Sequence, residues 1–176
     1  IPTGIRFGEG VRWSRGFFGQ INGRTGPVTL FLGGRQDFTG SDSFFSPNGG
    51  ITAGRGIFRV RASAYRSFRS PTLNELYRTF RAGNSVTQAN ADLLPEKLFG
   101  AESGFDLIGE TRRFSVTLFR NALDDVITNV TLSTTPALTT RQRQNAASAV
   151  THGVEANLRQ NFGAHWQGEL SYLFAD

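Results

Sequence analysis

Residues 57–96 read IFRVRASAYRSFRSPTLNELYRTFRAGNSVTQANADLLPE. The first part alternates: Phe58, Val60, Ala62 and Ala64 share one face, and Arg59, Arg61 and Ser63 share the other. Period 2 marks a strand with one apolar and one wet face. At Ser70-Pro71 the pattern breaks, and a polar segment runs over residues 69–97. Connections in soluble domains are mostly about 4–6 residues long, and long loops tend to be functional. The rest of the chain has to explain a strand feeding so long a loop.

Upstream, residues 1–11 are glycine-rich and read as a loop or the start of a strand. Residues 13–23 alternate, with Phe17, Gly19 and Ile21 against Phe18, Gln20 and Asn22. Residues 28–38 place Val28, Leu30 and Leu32 opposite Thr29, Phe31, Arg35 and Asp37. A polar loop is expected over 39–47, then a weak strand over 48–53 with Ile51 and Ala53 on its apolar side. Downstream, residues 98–108 set Phe99, Ala101, Phe105 and Leu107 against Glu102, Gly104 and Asp106. Residues 113–121 set Phe114, Val116 and Leu118 against Ser115, Thr117 and Asn121, in a segment that can run on to Asn129. Residues 143–160 carry Val154, Ala156 and Leu158 against Glu155, Asn157 and Arg159. Residues 166–174 carry Trp166, Leu170, Tyr172 and Phe174 against Gln167, Glu169 and Ser171.

This makes about eight strands, and their connections alternate in length. Short turns at 23–27, 54–56, 109–112 and 161–164 interleave with longer loops at 39–47, 69–97 and 130–142. Short turns at one end and long loops at the other describe an up-and-down barrel wall, the arrangement of outer-membrane barrels. Strand length agrees, since a tilted strand needs about 9–11 residues to cross a bilayer. Aromatics near strand ends (Trp13, Phe38, Tyr65, Phe68, Trp166, Phe174) fit interfacial girdles. The fold expected is all-β: an antiparallel, up-and-down transmembrane barrel wall, part of a larger barrel, with a short helix in its longest loop. A soluble antiparallel sheet with one solvated face also alternates; strand length and turn rhythm favour the membrane wall.

Composition narrows the function classes. The 176 residues suffice for one domain, and residues 1–176 are read as one partial barrel domain. With no cysteine there is no disulfide scaffold, thiolate zinc site or thiol nucleophile. Net charge is +5, and Lys97 is the single lysine among 19 basic residues. The arginines are spread over nearly every segment rather than run together, which favours wet strand faces over nucleic acid. No apolar run reaches the length of a membrane-spanning helix. No signal peptide stands at residue 1, so an exported chain implies a longer precursor. His152 and His165 lack metal-ligand spacing, and Asp124-Asp125 is far short of a calcium site. Neither a metal, a cofactor nor a catalytic constellation is expected, and the chain does not read as an enzyme. Asn129-Val130-Thr131 matches a glycosylation sequon, which has no use in a bacterial outer membrane.

The run from Ala64 to Tyr77 resembles a recurrent signature of TonB-dependent outer-membrane receptors, with Arg69, Pro71, Leu73, Glu75, Leu76 and Tyr77 as its motif positions. Further blocks come in the family's order: Gly83-Asn84, Ala89 to Leu93, Leu94-Pro95-Glu96-Lys97, Gly100-Ala101-Glu102, Phe119-Arg120-Asn121, Asp125-Val126-Ile127, Arg143-Gln144-Asn145 and Gly153-Val154-Glu155. Receptors for cobalamin and ferric siderophores look most similar. The resemblance implies import of a scarce, bulky nutrient through a barrel of about 22 strands with a plugged lumen. Its implied partners are outer-membrane lipid, a plug domain and TonB. This chain departs from the pattern in having no plug, no TonB-contacting segment and only part of the strands, so transport by it alone is not expected. An extracellular assembly, joined edge to edge into a homo-oligomeric barrel, tube or filament, is the competing structural reading, because unpaired strand edges template pairing. A closed barrel of eight strands is also geometrically allowed.

Within the long loop, Ser70 can cap a helix starting at Pro71, and Thr72 with Glu75 has capping-box spacing as an alternative start. Leu73, Leu76, Tyr77 and Phe80 form one apolar stripe, which suits packing more than ligand contact. Asn84, Gln88 and Asn90 are the expected ligand contacts. Arg59, Arg61, Glu102, Asp106, Glu155 and Arg159 are expected to line the lumen, pairing with one another or with a plug.

Overall fold

A computed structural model describes residues 13–40 and 42–176; the expected loop over 1–11 lies outside them. The described chain is almost entirely β. Its strands are β1 (Ser14–Thr25), β2 (Val28–Thr39), β3 (Asp42–Arg55), β4 (Phe58–Arg69), β5 (Phe80–Ala82), β6 (Ser85–Gln88), β7 (Glu96–Ile108), β8 (Arg112–Thr134), β9 (Thr139–Phe162) and β10 (Trp166–Ala175), with one helix, α1 (Leu73–Tyr77). They make a single ten-stranded sheet in the order β1-β2-β3-β4-β7-β8-β9-β6-β5, with β10 also on β9. The eight long strands are those expected; β5 and β6 are an additional hairpin inside the long loop.

Two expected loops are instead strand. Residues 42–47 open β3 and pair with β2, from Thr39↔Asp42 to Gly34↔Pro47. Pro47 stands just beyond the last β3–β4 pair, Asn48↔Tyr65, where a missing N–H costs no ladder bond. Residues 130–134 continue β8, and β9 begins at Thr139, so only 135–138 connect them. The short turns are as expected; Gly26 (φ 55°) and Gly56 (φ 60°) take the left-handed conformation that tight hairpins require.

The residues group into two compact units. The larger holds residues 15–67, 99–122 and 150–176. Its two sheet faces differ chemically. One carries cross-strand rows such as Leu30↔Ile51↔Ala62, Leu158↔Leu170 and Val154↔Phe174. On that face Phe105 lies 6.2 Å from Phe58 and 6.0 Å from Phe114, ring centre to ring centre. The other face carries Thr29↔Thr52↔Arg61, Asn157↔Ser171 and Arg159↔Glu169.

Burial runs opposite to that of a water-soluble domain. Leu170 is 69% exposed and Phe18 82%, whereas Asp106 is 2% exposed and Asp37 6%. Along β4, exposed Ala62 and Ala64 alternate with less exposed Arg61, Ser63 and Tyr65. Exposed apolar area on this scale marks a surface made for something other than water. Tyr65 corrects one expectation. It is not on the girdle side: its hydroxyl donates to Asn121 Oδ1 (3.3 Å) on the polar face.

Candidate functional site in the ordered loop and the polar face

Among the described residues the smaller unit holds 13–14, 68–98 and 123–149, and so contains the long loop. The loop is built as structure rather than slack. Thr72 caps α1, and its hydroxyl accepts from the Glu75 amide (3.2 Å) while the Glu75 carboxylate accepts from the Thr72 amide (2.7 Å). This is the Thr72/Glu75 start, the second of the two alternatives, and it satisfies two of the donors that every helix N-terminus leaves open. At the other end, Arg143 donates to the carbonyls of Asn74 and Arg78 (both 3.0 Å). A cation there meets the negative end of the helix. Leu76 and Leu93 are the buried large apolar side chains among the described residues, and both belong to this unit.

Arg69, the last residue of β4, joins the loop's two ends. Its Nε lies 2.5 Å from Glu96 Oε2, and its Nη1 lies 3.1 Å from Glu75 Oε2. Glu96 in turn accepts from the Ile127 amide (2.8 Å). Asn145 acts as a clamp. Its Oδ1 accepts from the Leu94 amide (2.8 Å), and its Nδ2 donates to the carbonyls of Leu94 (2.8 Å) and Asp125 (2.6 Å). Lys97 pairs with Asp125 (2.8 Å), which has a positive φ of 58° inside β8. The loop hairpin then docks as an added parallel strand, from Ser85↔Thr139 to Gln88↔Gln142.

Partial burial pulls the Glu75 carboxyl upward, but hydrogen bonds from the Thr72 amide, Arg69 and the Thr72 hydroxyl outweigh it. The net effect holds Glu75 below the usual carboxylate range. The unfolded loop therefore binds the proton first as pH falls. The contribution is complete above the ordinary glutamate pKa and is lost as pH drops through the lower folded value. Amide protection of Leu76 and Arg78, corrected for intrinsic exchange, should hold at neutral pH and decline below about pH 4. A protection profile flat down to pH 2.5 would contradict this role.

Replacing Arg69 with Ala strips Glu75 and Glu96 of a shared partner. Arg69 is nearly half exposed, so solvent screening limits the cost to about 1–2 kcal/mol. Hydrogen exchange across 73–95 should rise about tenfold, and Arg69→Lys should recover only part, since an ammonium cannot present the fork that reaches two carboxylates.

The ligand contacts expected from the sequence fall in three settings. Asn84 sits exposed in the β5–β6 turn, its carbonyl accepting from the Thr139 amide (2.8 Å). Gln88 is exposed at the end of β6. Asn90 is engaged by the loop itself: its Nδ2 donates to the Arg143 carbonyl (2.9 Å), and its Oδ1 accepts from the Asp92 amide (3.0 Å). Among the motif residues, Arg69 and Glu75 form the ion-pair network, Pro71 and Leu76 are buried, and Leu73 and Tyr77 are exposed.

On the polar face of the larger unit, Arg61 lies 3.4 Å from Asp106 and donates to Thr117 Oγ1 (2.7 Å). Arg113 approaches the other Asp106 oxygen at 3.6 Å. Arg159 pairs with Glu169 across β9 and β10 (3.2 Å). Arg59 and Glu155 are exposed, and Glu102 is half-buried beside Arg61 in a small cavity of about 150 Å³. Asn145, Arg143, Glu96 and Arg113 were not among the expected site residues. The first three stood in blocks that resembled the family, but nothing in their local sequence names their partners.

A sheet with one exposed apolar face, with Asp37 and Asp106 covered on the polar one, and with one long ordered loop fits a membrane barrel wall. The family model for the TonB dependent receptor-like beta-barrel matches residues 2–176. The chain belongs to this family. Curated sequences return no significant match. Solved structures resembling it include the siderophore receptor PirA of Pseudomonas aeruginosa, with TM-score 0.79 and 22% identity over 93% of this chain and 34% of that one. PirA of Acinetobacter baumannii matches with TM-score 0.77 and 21% identity over 92% and 27%. A variant of the ferric enterobactin receptor PfeA of Pseudomonas aeruginosa, in complex with enterobactin, matches with TM-score 0.78 and 18% identity over 93% and 27%. The chain thus spans about a third or less of the length of these receptors. At these identities the likeness is one of fold, and the fold is a stretch of wall from a larger TonB-dependent receptor barrel.

Proposed function

We propose that this chain supplies barrel wall and one extracellular loop to a bacterial outer-membrane receptor for energy-coupled uptake of a scarce, bulky nutrient of the ferric siderophore or cobalamin class. The observation that carries this is the inverted burial of a chain whose family is the TonB-dependent receptor barrel. Structural neighbours that are siderophore receptors favour the iron branch. In this account the partners are bilayer lipid, a plug domain and TonB, and the role is transport rather than catalysis. Arg59, Arg61, Glu102, Asp106, Glu155 and Arg159 face the lumen, where they pair with one another or with the plug. Asn84 and Gln88 contact ligand from the loop, while Asn90 holds the loop's shape.

The test is binding of ferric enterobactin and of cobalamin by cells carrying the protein in its full receptor. Substituting Asn84 and Gln88 together by Ala should weaken binding of one of the two ligands about tenfold, with outer-membrane abundance unchanged. No binding of either ligand by the parent receptor would refute the ligand class. Unchanged binding by the double variant would remove the loop contacts.

A further inference from the structure

The apolar face of the larger unit is not smooth. A groove of about 360 Å³ crosses β2, β3, β4 and β7, lined by Leu32, Pro47, Gly49, Ala64 and Phe99, with Asn48, Tyr65 and Arg66 as its polar residues. Leu32↔Gly49↔Ala64 is one continuous cross-strand row, and its floor is low because Gly49 has no side chain and Ala64 has only a methyl. Leu32 leans over that floor: a Cβ at Gly49 would meet Leu32 Cδ2 at 2.9 Å. At one end stands Arg66. The same face of β4 is uncharged from Phe58 through Ala64, so Arg66 interrupts an apolar surface. It is exposed, and among the described residues it forms no ion pair or side-chain hydrogen bond.

An unpaired charge is costly at the middle of a lipid-facing strand and nearly free at its ends. Arg66 lies three residues before the loop end of β4, about 10 Å along the strand, so the membrane-wall reading puts it toward the headgroup end of the apolar face. A guanidinium there takes a phosphate in bidentate geometry, and the apolar groove below takes a hydrocarbon chain. Both recognition elements occur together in one kind of molecule.

We propose that this groove holds an acyl chain of a phosphate-bearing membrane lipid, with Arg66 on the phosphate. The proposal rests on the membrane-wall reading above. It is tested on the purified protein in nonionic detergent, offered equal amounts of phosphatidylglycerol and phosphatidylcholine with identical chains, by native mass spectrometry. The parent protein should retain phosphatidylglycerol about fivefold over phosphatidylcholine, as one arginine–anion contact near a membrane surface predicts. Arg66→Gln should abolish the preference. Ala64→Phe, or the milder Ala64→Leu, should fill the floor and cut retention of both lipids. Ala156→Phe, on the apolar face of β9 outside the groove, should match the parent, and circular dichroism of each variant should show intact strands.

Equal retention of the two lipids by the parent would overturn the proposal. So would a preference that survives filling of the groove, which would mean a surface ion pair only. A lipid-free dimer separated by Arg66→Gln would instead give the groove to a second copy and equally overturn it. A protein that is folded and monomeric in water without detergent would remove the membrane reading itself, which the lipid comparison alone does not.

Discussion

Leu170→Arg lowers the stability of the folded protein in a bilayer by about 2–4 kcal/mol, and Ser171→Arg leaves it within about 0.5 kcal/mol. The two positions are neighbours near the middle of β10, and both are exposed. A soluble sheet gives no reason for them to differ, because an arginine at either site would reach water. They differ because of what each face meets. Leu170 pairs with Leu158 on the apolar side, where a guanidinium must be desolvated or must snorkel some five residues to an interface. Ser171 pairs with Asn157 on the polar side, with Glu169 and Glu155 on the same face to receive a positive charge. Denaturant titration of the protein reconstituted in lipid vesicles gives both values. Equal losses at the two positions would contradict the assignment of faces.

Gly104→Val costs about 1–3 kcal/mol, toward the upper end of that range. Gly104 lies in β7, between its neighbours β4 and β8. A Cβ built there runs into the Val116 carbonyl oxygen, with Thr117 Cα at 3.2 Å and Arg61 Cζ at 3.3 Å. Two of those three atoms are backbone of a strand paired on both sides, so they cannot swing aside. The third belongs to the arginine that holds Asp106 and Thr117, and displacing it loosens Asp106, whose carboxylate is almost fully covered. The same assay in lipid should show the loss. Gly19→Val, at a β1 position with nothing within 4 Å of the added Cβ, should lose much less. A loss at Gly104 no larger than at Gly19 would show that the close approach is not constraining.

The long strands were legible because each is patterned by two solvents. Period 2 along β4, β7 and β10 follows from lipid on one side and water on the other, and local sequence carries that information in full. Where a strand continues beyond the patterned region, the pattern stops but the pairing does not. Residues 42–47, with two serines and a proline, resemble a loop by composition, yet β2 supplies their hydrogen bonds. The Thr/Ser-rich end of β8 is the same case. The β5–β6 hairpin is too short to display a period. Its parallel docking at Ser85↔Thr139 joins segments more than fifty residues apart, for which no local signal exists. The Thr72/Glu75 cap could be read from spacing alone, and so could the polar face bearing Arg61 and Asp106. The clamp of Asn145 on Leu94, the reach of Arg143 to α1 and the sharing of Arg69 between two glutamates depend on tertiary placement, which residue types in isolation do not specify.

The central claim is that one sheet face meets lipid and the other meets water, and the absence of cysteine makes it directly measurable. Single variants Leu158→Cys, Leu170→Cys, Asn157→Cys and Ser171→Cys, in membranes, are exposed to a membrane-impermeant, water-soluble maleimide with both faces of the membrane accessible. Labelling is expected at Asn157→Cys and Ser171→Cys and absent at Leu158→Cys and Leu170→Cys until detergent and denaturant are added. Comparable labelling of all four in the intact membrane would contradict it.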